Sequence, residues 1–167
     1  MQVPIRKKET YIKPKPDPYL TEAKFLELKN KLARLKASHP ALAAEVKRLA
    51  EMGDFSENAG YQYAKGRLRG LNQRILELEA HLKTALIFKP DKNCDQVRLG
   101  HRVKVLIDGR EKTYLILGSS ESDPSNGRIS YLSPLGSALI GKRSGESVSL
   151  HIGGREKTLK IIEILPE

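Results

Sequence analysis

An α+β fold is predicted, with a long antiparallel helical hairpin followed by a compact antiparallel sheet domain carrying one short helix. Three observations predict it. Apolar residues recur at steps of three and four over two long stretches, a short polar connector joins those stretches, and beyond residue 101 the period changes to two.

The first stretch contains Phe25, Leu28, Leu32, Leu35, His39, Leu42, Val46 and Leu49. The second contains Tyr61, Ala64, Leu68, Leu71, Ile75, Leu78, Leu82 and Ala85. Such spacing keeps one stripe facing a partner helix, as in a coiled-coil seam. Each arm has about thirty residues, which at 1.5 Å per residue gives a rod ~45 Å long. The short connector makes the other arm the nearest partner, in antiparallel register. Thr21 is the expected N-cap of the first arm, and Pro40 is expected to kink or locally break it. The second arm is expected to end near Phe88.

Around the arms, residues 1–18 read as a flexible, basic, proline-rich tail, with Pro14, Pro16 and Pro18 excluding a helix. The coiled coil then covers 19–89, a linker 90–96, and the sheet domain 97–167. Alternation in Arg102–Ile107 and Lys112–Leu117 about Asp108-Gly109 predicts a hairpin. A polar loop over 121–127 precedes a short strand at 129–131. Ser133 to Gly141 reads as a short helix with Pro134 in its first turn, and a cis Ser133–Pro134 bond is considered. Two last strands, at 147–152 and 158–164, flank Gly153-Gly154.

Composition narrows the function. The chain has 167 residues, 39% hydrophobic and 5% aromatic with no Trp, which suits a thin rod better than one thick core. Lys and Arg number 30 against 20 acids, a formal charge of +10, favouring a polyanion or an acidic protein as partner. A lone Cys94 excludes a disulfide framework and a cysteine zinc cluster, and the four histidines lack metal-ligand spacing. No apolar signal region or transmembrane run is evident, so a soluble cytoplasmic protein is expected.

Against this basic background, the connector Gly53-Asp-Phe-Ser-Glu-Asn-Ala-Gly60 carries two carboxylates, Asp54 and Glu57. Their spacing is nearly that of a capping box at the start of the second helix, and both charges suit its positive end. Capping and function are compatible, because a capped turn also holds an acid in a fixed direction. Two carboxylates on a rod would hold magnesium only weakly. Inserted into a site already rich in acids and phosphates, they could complete a metal position or orient a water. The residues therefore point to a donated half-site without self-sufficient catalysis.

The run Gly53-Asp-Phe-Ser-Glu-Asn-Ala59, with Tyr61-Gln-Tyr63 and Arg67-Leu-Arg69, resembles the tip signature of the bacterial Gre transcript-cleavage factors, its basic continuation more the GreB branch than the GreA branch. Ile129-Ser-Tyr-Leu-Ser-Pro-Leu-Gly-Ser-Ala-Leu-Ile-Gly-Lys142, with Gly145-Glu146, is similar to that family's second signature. The likeness spans about residues 19 to 165.

The resemblance implies a factor whose coiled coil enters the secondary channel of a backtracked bacterial RNA polymerase. There Asp54 and Glu57 would help the polymerase's own active site bind a second Mg2+ and hydrolyse the extruded RNA. No cofactor of the chain's own is implied. Gly53, Phe55, Ser56, Asn58 and Tyr61 would support the tip. The sheet domain would be FKBP-like and dock beside the channel, with Ser133, Pro134, Leu135 and Lys142 as partner-binding residues and no isomerase activity. Gly60 departs from the family, which usually carries an acid there, so the tip is less negative and more flexible.

Lys47, Arg48, Lys65, Arg67, Arg69 and Arg74 form a candidate track for the RNA backbone, the alternative being a solvated flank. Tyr61 and Tyr63 cannot both face the seam; one could stack on an RNA base, with Tyr61 read first as packing on Phe55 or Met52 to stiffen the turn. A seam satisfied within the hairpin suggests a monomer. Two other readings stay open: a channel-binding modulator that does not stimulate cleavage, and a coiled-coil RNA-binding module unrelated to polymerase.

Overall fold

The computed structural model describes residues 17–52, 59–152 and 155–166, the side chains at 152 and 155 excepted. Strand β1 (Tyr19–Leu20) leads into α1 (Glu22–Glu51), and α2 (Ala59–Thr84) returns to β2 (Leu86–Ile87). The two helices are antiparallel, as the cross-pairs Glu45–Arg67 at 3.8 Å and Lys36–Glu79 at 2.6 Å show. All sixteen predicted seam positions are buried or half-buried, whereas off-stripe Leu26 and Leu76 are exposed.

Thr21 caps α1, its side chain accepting from the Lys24 N–H at 3.2 Å. Of the two outcomes expected at Pro40, the local break does not occur: α1 runs as one helix of 30 residues through it. One proline removes one hydrogen bond, and the seam on either side holds the two halves in register. The second arm ends at Thr84, short of Phe88, because Leu86–Ile87 turn away to pair in parallel with Tyr19–Leu20. The chain is therefore already ordered at Asp17, inside the stretch read as tail, and that residue is buried.

The sheet domain has five strands: β3 (Arg102–Ile107), β4 (Arg110–Leu117), β5 (Arg128–Ser130), β6 (Ser147–Ile152) and β7 (Arg155–Leu165). Their order across the sheet is β5-β4-β3-β7-β6. The β3–β4 turn has φ of 51° at Asp108 and 73° at Gly109, the doubly positive geometry that tight hairpins need. The sheet is mixed where an antiparallel one was expected, since β5 pairs parallel to β4. Alternation tells which face a residue takes, not which way a strand runs. Here the segment 118–127, with 3-10 turns at Ser119–Glu121 and Pro124–Asn126, carries the chain back beside Leu115, so that β5 runs along the last three residues of β4.

Helix α3 (Pro134–Leu139) lies against β5 and β6. No cis peptide is present among the described residues, so the Ser133–Pro134 bond is trans. One cluster fills the domain, built on Val103, Val105 and Ile107 of β3, Ile116, Ile129, Leu139, and Leu159, Ile161 and Ile164 of β7, with Val97 from the preceding segment.

Candidate functional site

The described part of the rod ends at Met52 on its first arm and resumes at Ala59 on its second. Asp54 and Glu57, with Gly53, Phe55, Ser56 and Asn58, lie outside the described residues, and so does the capping-box question. What the structure supplies is their platform. Helix α1 closes at Met52, whose N–H bonds the Ala50 carbonyl, and α2 opens at Ala59 with the exposed Gly60 beside it.

Around this end the two tyrosines separate. Tyr61 is half-buried on the seam side, with Lys65 Nζ 5.5 Å from its ring centre. Tyr63 is 70% exposed, and the Arg67 guanidinium stands 5.8 Å from its ring centre. Of the two, Tyr63 presents the open ring.

The basic residues do not form one track. Arg67 and Arg74 line a shallow groove of about 830 Å³ together with Tyr63, Gly66 and Gly70 on one side and Ser38, Ala41 and Glu45 on the other. Arg48 follows Glu45 by three residues on that flank. Lys65 and Arg69 continue the row of Asn72 and Leu76, which border the opposite flank with Lys36 and His39. Lys47 belongs to that second row of α1. All six are exposed, and pairing is slight: Lys47 lies 3.9 Å from Glu51, and Arg67 3.8 Å from Glu45. Such exposed pairs contribute only about 0–1 kcal/mol, so these cations stay available to phosphate.

Several residues of the second signature make structural contacts. Ser133 caps α3, accepting from the Gly136 N–H at 3.0 Å and donating to the Ser130 carbonyl at 2.6 Å. A Cβ on Gly136 would fall 2.1 Å from that same carbonyl oxygen, so only glycine fits there. Leu135 is half-buried and packs on the core cluster. Lys142 lies 3.5 Å from Glu146, and its carbonyl accepts from the Val97 N–H at 2.8 Å, tying the segment before β3 to the end of α3. Pro134 is exposed. So is Leu132, at 61%, a residue that sequence patterning did not single out.

Among the described residues no group of three or more His, Cys, Asp and Glu side chains could hold a metal ion, and no helix is long and apolar enough to cross a membrane. His81 and His101 are buried and structural: His101 Nδ1 accepts from the Arg98 N–H at 3.2 Å.

A long antiparallel helical hairpin joined to a small mixed sheet domain defines the α+β class of this chain. Two family models match in order: "Transcription elongation factor, N-terminal" over residues 18–87 and "Transcription elongation factor, GreA/GreB, C-term" over residues 91–166. The chain belongs to the GreA/GreB family of transcription elongation factors. Similar relatives include transcription elongation factor GreA of Desulfovibrio desulfuricans, 39% identical over 84% of this chain and 88% of that protein. GreA of Caldanaerobacter subterraneus subsp. tengcongensis is 40% identical, over 87% and 95% respectively. The crystal structure of GreA factor homolog 1 of Thermus thermophilus aligns with a TM-score of 0.41 at 25% identity, over 87% of this chain and 97% of that one. The family models take in both branches and do not sort the chain into GreA or GreB.

Proposed function

We propose that this chain binds bacterial RNA polymerase through its secondary channel and stimulates the polymerase's own cleavage of backtracked RNA, rescuing arrested complexes. The observation that carries the reading is the antiparallel rod, 30 residues on its first arm, whose only connector bears Asp54 and Glu57. A rod of that length reaches ~45 Å, far enough to place an acid inside another protein's cleft. The chain itself is no enzyme in this reading.

The tip acids act as a pair. Asp54 and Glu57 would supply oxygen ligands to a metal position that polymerase acids and RNA phosphates complete, because two carboxylates alone hold Mg2+ weakly. Magnesium so bound supplies Lewis-acid polarisation and a water nucleophile near neutral pH. The basic residues near the tip, Arg48, Arg67 and Arg74 on one flank and Lys47, Lys65 and Arg69 on the other, attract the RNA backbone without reading bases. The sheet domain supplies the docking face, with Leu132 and Pro134 exposed beside the Ser133 cap. The protein works in the cytoplasm as a monomer.

A stalled elongation complex with 3′-labelled RNA tests this. Adding the protein at neutral pH with magnesium should speed release of short 3′ fragments, and an unchanged rate would refute the reading. One observation favours a second reading, a channel-binding modulator without cleavage stimulation: Gly60 stands exposed in the first turn of α2, where an acid is usual in the family. Slower nucleotide addition with no added cleavage would select it.

A further inference from the structure

Two buried carboxylates face each other's domain across the root of the rod. Asp17, just before β1, is 7% exposed. Its Oδ2 accepts from the Ser119 N–H at 2.7 Å and the Ser119 hydroxyl at 3.2 Å, and its Oδ1 from the Tyr131 hydroxyl at 3.2 Å. Oδ1 also accepts from the Tyr19 N–H at 3.1 Å. Glu121, on the sheet domain, makes the reciprocal grip. It accepts from the Thr21 N–H at 2.9 Å and the Thr21 hydroxyl at 2.6 Å, and Thr21 is the residue that caps α1. Arg128 stands 3.7 Å from Glu121 on the far side.

The second helix is held at the same point. His81, in the last turn of α2, lies with Nε2 3.0 Å from the Asp17 carbonyl oxygen. The backbones meet closely as well, since a Cβ on Gly118 would fall 2.1 Å from the Tyr19 carbonyl oxygen. Both arms and the loop over 118–131 therefore converge on one five-residue segment, 17–21. Beyond the Tyr19 N–H and Arg128, the partners of each carboxylate lie on the other domain and are kept only in this orientation, and leaving a buried carboxylate short of partners is costly.

We propose that Asp17, Glu121 and Gly118 are positioning residues that fix the angle of the rod on the sheet domain and thereby aim its tip. The proposal rests on the cleavage reading for its functional half. The lever is long: a tilt of about 10° at the root moves the end of a ~45 Å rod by about 8 Å. A displacement of about 1 Å can already cost ~100-fold in a reaction that depends on placement.

The test uses the full chain with Cys94→Ser, spin-labelled at Ala44→Cys on α1 and Lys112→Cys on β4, both exposed sites. The parent should show one narrow distance distribution, and Asp17→Asn, Glu121→Gln and Gly118→Ala should each broaden or shift it. The carboxamide variants keep the side-chain shape, so they report even if Gly118→Ala folds poorly. In the stalled-complex assay, the same variants should lower the maximal cleavage rate at saturating protein by about 10-fold or more, while half-saturation moves less than about 2-fold. A merely destabilised protein would instead shift half-saturation and keep its maximal rate. Unchanged distances in all three variants would overturn the proposal, as would altered distances with an undiminished maximal rate. Altered distances with no cleavage even by the parent would support the clasp and sink the cleavage reading alone.

Discussion

The sheet domain closes ten apolar side chains, from Val97 to Ile164, into one cluster, while among the described residues the two rod helices bury only Leu28, Ala64 and Leu71 of their apolar side chains. The rest of the rod's stripe is half-buried along a line. A cluster concentrates stability, because every member touches many others, whereas a line spreads it among near neighbours. The comparison teaches that the domain is a base and the rod is a reach. The rod can therefore carry exposed cations, open glycines and a charged connector that a compact core could not hold.

The comparison breaks most sharply at the tip. Asp54→Ala or Glu57→Ala should lower stimulated RNA cleavage by at least about 100-fold, the scale of losing one catalytic electrostatic contact. Folding stability should move by no more than about 1 kcal/mol, the typical cost of losing one helix cap. Radiolabelled cleavage assays beside denaturant melts would measure both. Large loss of function with little loss of stability is what a tool at the end of a base implies.

Core truncation should show the opposite balance. Ile161→Ala in β7, fully buried between β3 and β6, should cost about 3–4 kcal/mol, and Leu42→Ala on the half-buried seam about 1–2 kcal/mol. Urea titration followed by circular dichroism would rank them. Equal costs would mean that the rod has a core of its own.

At the junction, Tyr131 sharpens the comparison through pH. Burial, the Asp17 charge and the hydrogen bond to Asp17 together raise its phenol above the ordinary value. The folded state thus favours the protonated form. Its contribution is fully present below the unfolded value, near ~10, and is lost as pH rises through the raised folded value. Tyr131→Phe should cost about 1–2 kcal/mol near neutrality. Its stability should also fall less steeply than the parent's above pH ~10, measured by melting across an alkaline series.

The smallest effect belongs to the glycines of α2. Gly66 and Gly70 have nothing within 4 Å of a would-be Cβ, so Gly66→Ala and Gly70→Ala should each stabilise the rod by about 0.5–1 kcal/mol. Thermal melts would register it.

What could be read beforehand follows the same division. Heptad spacing identified the seam residue by residue, because a 3.6-residue period is a local property of the chain. The Asp108-Gly109 turn was equally legible, its left-handed backbone being a demand of the residue types. The clasp was not. Tyr19–Leu20 and Leu86–Ile87 are strands of two residues with no period, and Asp17 meets Ser119 at a separation of 102 residues. The proline-rich surroundings of Asp17 read as tail, although Thr21 and Glu121 needed that segment in place. Leu135 was read as a partner residue; it is half-buried against the core cluster, while Leu132, which patterning did not single out, is exposed. The basic cluster likewise split into two flanks once helical geometry was imposed.

The central claim is that Asp54 and Glu57 lend ligands to another protein's metal position, and a magnesium titration tests it most directly. Cleavage rate in a stalled polymerase complex would be followed against Mg2+ concentration with no factor, with this protein, and with Asp54→Asn. The account predicts that the protein lowers half-saturating Mg2+ by about 10-fold and that Asp54→Asn, still bound to polymerase, returns it to the unassisted value. A faster rate with the same magnesium dependence in all three would contradict it.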